Sequence, residues 1–75
     1  MNKSERNNDI FMLQVRLFRL LQEKKNITAK ECDELFAEYE LYDYIATCYE
    51  EYHVQGDDAN LEDIENYINS QGEKA

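Results

Sequence analysis

Three side chains in this 75-residue chain have the chemistry of a nucleophile, a base or a soft metal ligand: Cys32, Cys48 and His53. A nucleophilic thiol needs a base within hydrogen-bond reach, and His53 is the one histidine available. Cys48 precedes it by five residues, which is about 140° round a helix, so the two side chains leave from different faces. Cys32 has no motif around it. The thiols stand singly, without the C-x-x-C or H-x-x-x-H spacing of a zinc site. Both fall on apolar stripes, where a free cysteine behaves as a small hydrophobe. These residues read as structural thiols, with no catalytic centre, metal or cofactor expected.

Carboxylates are the abundant functional group. Asp57, Asp58, Glu62, Asp63 and Glu65 form a cluster, but the D-x-D-x-D-G order and closing glutamate of a calcium loop are missing. Acidic residues at the start of a helix meet the positive end of its dipole, and that explains the cluster without a ligand. Carboxylate pairs for glycoside hydrolysis need a cleft, for which so short a chain has little room. Asn26-Ile27-Thr28 matches a glycosylation sequon, yet Thr28 is accounted for as a helix cap. No enzyme is expected from these parts.

Charge is divided along the chain. Residues 1–30 carry seven Lys/Arg against three Asp/Glu, net +4; residues 31–75 carry one Lys against fourteen Asp/Glu, net −13. A helix-turn-helix reading of the middle of the chain fails on this division, because the recognition helix would carry Asp43, Glu50 and Glu51 and repel phosphate. Nucleic acid is therefore not an expected partner, whereas a protein with a basic surface is. Six tyrosines and no tryptophan add large amphipathic side chains of the kind enriched at interfaces. Tyr44, Tyr49 and Tyr52 have core-stripe spacing. Tyr39 and Tyr42 suit either an interface or surface packing. Candidate partner-binding residues are Tyr39, Tyr42, Asp43, His53, Asp57 and Asp58; Arg16 and Arg19 are expected to pair with the acidic half.

The elements that must position these residues are helical, since the chain has no proline and only two glycines. Residues 1–8 read as a flexible lead-in, 9–70 as a single domain and 71–75 as a loose tail. A first helix is expected from Asp9 to Lys25. Nine of its residues from Ile10 to Leu21 are hydrophobic and leave a polar sector only around Arg16 and Arg19. Thr28 and Glu31 form a capping box, with Ile27 and Cys32 as a staple, opening a second helix with stripe Cys32, Leu35, Phe36 and Tyr39. After a break at Glu40–Tyr42, Asp43 caps a third helix to His53 through Tyr44, Ile45, Cys48, Tyr49 and Tyr52. Gly56 supplies a left-handed stop. Asp58 or Asn60 caps a fourth helix ended by Gly72. The expected fold is all-α, a small compact bundle of four short helices with the first as central spine.

The runs Leu35-Phe36 with Tyr39, Asp43-Tyr44-Ile45, Cys48-Tyr49-Glu50, His53-Val54-Gln55-Gly56-Asp57-Asp58 and Leu61-Glu62-Asp63-Ile64 resemble a family of short, acidic, bacterial proteins of unknown function. The likeness covers most of residues 9–69. It implies a single small helical domain. Some members of that family are encoded beside proteins resembling ADP-ribosyltransferases, which implies a toxin-binding, antitoxin-like role for those members and assigns no active site here.

The expected function is a non-enzymatic protein-interaction module covering the basic surface of a partner, an ADP-ribosyltransferase-like protein being one such partner. The alternative is a self-associating module, a homodimer through the wide apolar face of the first helix. The N-terminus lacks a secretory signal pattern and Arg16 and Arg19 interrupt the one long apolar run, so a cytoplasmic protein off the membrane is expected.

Overall fold

The computed structural model describes the backbone of residues 3–74 and the side chains of residues 6–71. Five helices follow one another: α1 Lys3–Lys25, α2 Ala29–Glu38, α3 Leu41–Thr47, α4 Tyr49–Tyr52 and α5 Asp57–Lys74. No strand occurs among the described residues. The helices form a globule of 39 × 25 × 21 Å in which α1 packs against α2, α3 and α5.

The i, i+4 series Leu13, Leu17 and Leu21 gives α1 its buried face. Cys32 and Phe36 from α2, Leu41 and Ile45 from α3, Tyr49 and Tyr52 from α4, and Leu61 and Ile64 from α5 complete the core. Phe36 packs its ring against Phe18 at 4.9 Å and Tyr42 at 4.8 Å between centroids.

Local signals explain the joints. The capping box forms as expected: Glu31 N donates to Thr28 Oγ1 at 3.0 Å, and Thr28 N to Glu31 Oε1 at 2.9 Å. α1 ends in a Schellman motif built on Asn26, left-handed at φ 53°, with Ile27 N bonded to Gln22 O and Asn26 N to Glu23 O. After α2, Glu40 is also left-handed at φ 51°, with its N bonded to Ala37 O at 3.4 Å, and it serves as the N-cap of α3.

Six expectations are corrected. α1 begins at Lys3, so residues 3–8 are helical rather than a lead-in; Met1 and Asn2 lie outside the described residues. The polar first turns lack apolar periodicity but are anchored by Arg6, whose guanidinium lies 5.4 Å from the Tyr49 ring centroid and 2.5 Å from Glu50. The third helix is two, α3 and α4, because Cys48 adopts φ −92°, ψ 10° and bends the chain. Asp43 lies inside the first turn of α3 and does not cap it. Gly56 is not left-handed; its carbonyl instead accepts from Asn60 N at 3.1 Å to open α5. Asn60 is fully buried rather than a cap, donating to Tyr52 O and accepting from Gln55, each at 3.0 Å. α5 runs through Gly72 to Lys74, where a loose tail was expected; Ala75 lies outside the described residues.

Candidate functional site

The six sequence candidates do not converge. Tyr39 ends α2 half-buried, while Tyr42 (41% exposed) and Asp43 lie in the first turn of α3. Asp57 and Asp58 open α5, where Asp57 pairs with Arg16 at 3.2 Å. His53 follows α4, stacked on Tyr49 at 4.9 Å with Nε2 3.8 Å from Glu50. Its ring is thus engaged with its own helical neighbours.

The thiols are held in the protonated form. Cys32 is buried and donates Sγ–H to Phe18 O at 3.5 Å. Burial pushes its pKa up, and Asp33 adds to the shift. Cys48 is half-buried; burial again raises its pKa, opposed by a contact with the Tyr44 hydroxyl. A thiolate is the nucleophile and the metal ligand, so both environments disfavour either use. Among the described residues no three His, Cys, Asp or Glu side chains gather as a metal site.

Carboxylates fall into two sets. On α5, Asp57 pairs with Arg16, and Glu65 with Lys24 at 2.6 Å and Lys25 at 3.7 Å. The hydrogen bond that Lys24 Nζ donates to Glu65 Oε2 holds the ammonium above its usual pKa. Asp63 Oδ2 accepts the hydroxyls of both Tyr44, at 3.0 Å, and Tyr52. Tyr44 stacks on Tyr67 at 4.0 Å between centroids, closing the seam between α3 and α5. Burial, then the Asp63 bond, pushes the Tyr44 pKa up to about 12, and the same causes raise Tyr52. Nothing in the sequence marked this cluster, since a carboxylate 11 and 19 residues from its donors has no local signature.

The second set lies on α2 and α3. Asp33, Glu34, Glu38, Glu40 and Asp43 are all exposed. No Lys or Arg stands between Lys30 and Lys74, and among the described residues none of these five carboxylates forms an ion pair. Two tyrosines sit within this set. Partial burial and then the neighbouring Glu38 raise the pKa of Tyr39, and burial and then Asp33 raise that of Tyr42, which places a carboxylate close to each phenol. The Tyr42 ring is backed by Phe36 and by a parallel stack on Phe18 at 6.5 Å. Its backbone carbonyl accepts from Gln14 Nε2 at 2.8 Å. An aromatic face with an adjacent carboxylate is a receptor for a lysine or arginine side chain, by cation–π attraction and charge together.

Among the described residues the fold defines a small all-helical domain. A family model described as "Protein of unknown function (DUF3791)" matches residues 13–71, and the chain belongs to that family. No curated protein and no solved structure matches the chain. No helix among the described residues is long and apolar enough to cross a membrane.

Proposed function

We propose that this protein is a non-enzymatic interaction module that covers a basic surface of a partner protein with its α2–α3 face. The observation that carries this reading is the set of five exposed carboxylates from Asp33 to Asp43, without an ion pair among the described residues, around Tyr39 and Tyr42. Complementary potentials steer encounter and fix orientation, and the backed Tyr42 ring supplies the rigid aromatic anchor such interfaces use. In its narrower form the role is antitoxin-like, with a cytoplasmic ADP-ribosyltransferase-like protein as the partner. Asp57 is a weaker candidate for that contact, since Arg16 already neutralises it.

The test is affinity purification of the tagged chain from its host, with complex mass read by native mass spectrometry. A stoichiometric basic partner, lost in a chain carrying Asp33→Lys, Glu34→Lys and Glu38→Lys, is expected. Recovery of the bare chain alone, or a partner retained by that triple variant, overturns the reading. Self-association is the second reading, favoured by the exposure of Phe11 and Met12 on α1; in the same experiment it gives a homodimer.

A further inference from the structure

α1 has two apolar faces, and the globule covers one of them. Leu13, Leu17 and Leu21 point inward, while Phe11, Met12 and Val15 remain 58%, 59% and 38% exposed. At 100° per residue, Phe11, Val15, Arg19, Met12 and Arg16 occupy one sector of about 140° in that angular order. Phe11 and Met12 stand three or four residues from Val15, so the three exposed side chains form one patch. A trough of about 370 Å³ runs along it, lined by Met12, Val15, Arg16, Arg19, Leu20 and Glu23. All six come from α1, so the trough lies between the side-chain ridges of one helix, the shape that receives a ridge of another.

Charge selects the occupant. Arg16 reaches Asp57 at the edge of the face. Arg19 is exposed and, among the described residues, makes no ion pair in a chain of net charge −9. Aromatic, methionine and arginine side chains are those enriched where proteins meet. A second copy laid antiparallel about Val15 would bring Arg16 and Arg19 of both chains together, and each copy carries −9, so charge opposes that pairing. An anionic lipid surface or a nucleic acid is an extended anion that meets the whole −9 charge, whereas the few carboxylates of one helix meet only the local sector around Arg19. We propose that the outward face of α1 docks an amphipathic helix of a partner protein, one with carboxylates beside its apolar stripe. The stripe covers Phe11, Met12 and Val15, and the carboxylates meet Arg19.

Two synthetic helical peptides test this, sharing a leucine stripe but flanked by glutamate in one and lysine in the other. Binding to the full chain is read from amide NMR shifts of residues 11–23, apart from shifts on α2–α3, where a cationic peptide belongs to the acidic surface. The glutamate peptide is expected to saturate the α1 shifts at a concentration at least about tenfold lower than its lysine twin, a difference of roughly 1.4 kcal/mol. Arg19→Glu, at an exposed position, is expected to reverse the order with the fold intact. The proposal is overturned if neither peptide moves those amides, if both move them alike, if Arg19→Glu leaves the order unchanged, or if sedimentation shows the free chain to be a dimer through this face.

Discussion

Two carboxylate-rich surfaces of this molecule differ in what their charges touch. On α5, Asp57, Asp63 and Glu65 are engaged by Arg16, by Tyr44 and Tyr52, and by Lys24 and Lys25. On α2–α3, Asp33, Glu34, Glu38, Glu40 and Asp43 face water. The basic segment of the sequence is α1, and α1 lies against α5 over the same length that carries its arginines and lysines. Asp57, Asp63 and Glu65 of α5 are therefore tied to other parts of the fold, whereas the five acids from Asp33 to Asp43 face water. Equal density of Asp and Glu in the sequence conceals this division of labour.

The largest expected effect is on the engaged side. Asp63→Ala removes the acceptor of two tyrosine hydroxyls, one of them on Tyr52, which is 1% exposed. Leaving a buried hydroxyl without a partner destabilises by about 1–3 kcal/mol, a large part of the roughly 3–5 kcal/mol that a core this small supplies. Urea unfolding of Asp63→Ala is expected to show a midpoint far below that of Asp33→Ala, which changes stability by no more than about 0.5 kcal/mol. Equal midpoints would erase the distinction between the two surfaces.

The same cluster sets an alkaline limit. Burial and the Asp63 bond push the Tyr44 phenol from its ordinary 10.0 up to about 12, and raise Tyr52 as well. A phenol with a raised folded pKa keeps its proton longer in the native state. Its contribution is thus fully present below pH 10 and is lost as pH climbs through the folded value. Cys32 and Cys48, raised from 9.0, begin a decline of the same sign lower. Stability followed by circular dichroism is expected to fall from about pH 9 upward, in line with that linkage, and Tyr44→Phe to flatten only the upper part of the fall.

A mid-sized effect belongs to the joint between α1 and α2, where the water-facing region begins. Thr28 closes the capping box that starts α2, and Thr28→Ala is expected to lower stability by about 1 kcal/mol in thermal or urea melts. Glu31→Gln, which keeps a side-chain acceptor for Thr28 N, is expected to lose less.

How far the sequence reached follows from which signals are local. The capping box and the stripes of α2 and α5 were legible because each is written within one or two turns; Cys32, Phe36, Leu61 and Ile64 are all buried as their spacing requires. The start of α1 was not, because Arg6 is held by Tyr49 and Glu50 more than forty residues away. Asn26 and Glu40 take left-handed conformations that glycine usually marks, so these two helix ends carried no glycine signal. Gly56, which did carry one, has an ordinary backbone. Among site residues, exposure of Tyr42 was read correctly, but the acids of α2 were passed over in favour of Asp57, whose partner Arg16 lies 41 positions earlier.

The smallest effect sharpens the comparison from the open side. Glu40 holds φ 51° between α2 and α3, a conformation that places Leu41 in the core at 0% exposure. A non-glycine residue there bears roughly 1–2 kcal/mol of steric penalty, and glycine relieves it while losing roughly 0.5–1 kcal/mol more backbone entropy on folding. Glu40→Gly is therefore expected to raise stability by about 0.5 kcal/mol, the difference between those terms. It also removes one of the five water-facing carboxylates. A chain that melts higher yet binds the proposed basic partner less tightly would separate fold from contact at a single residue. A chain that melts lower would mean that Glu40 makes a stabilising contact, and would move this residue to the engaged set with Asp57, Asp63 and Glu65.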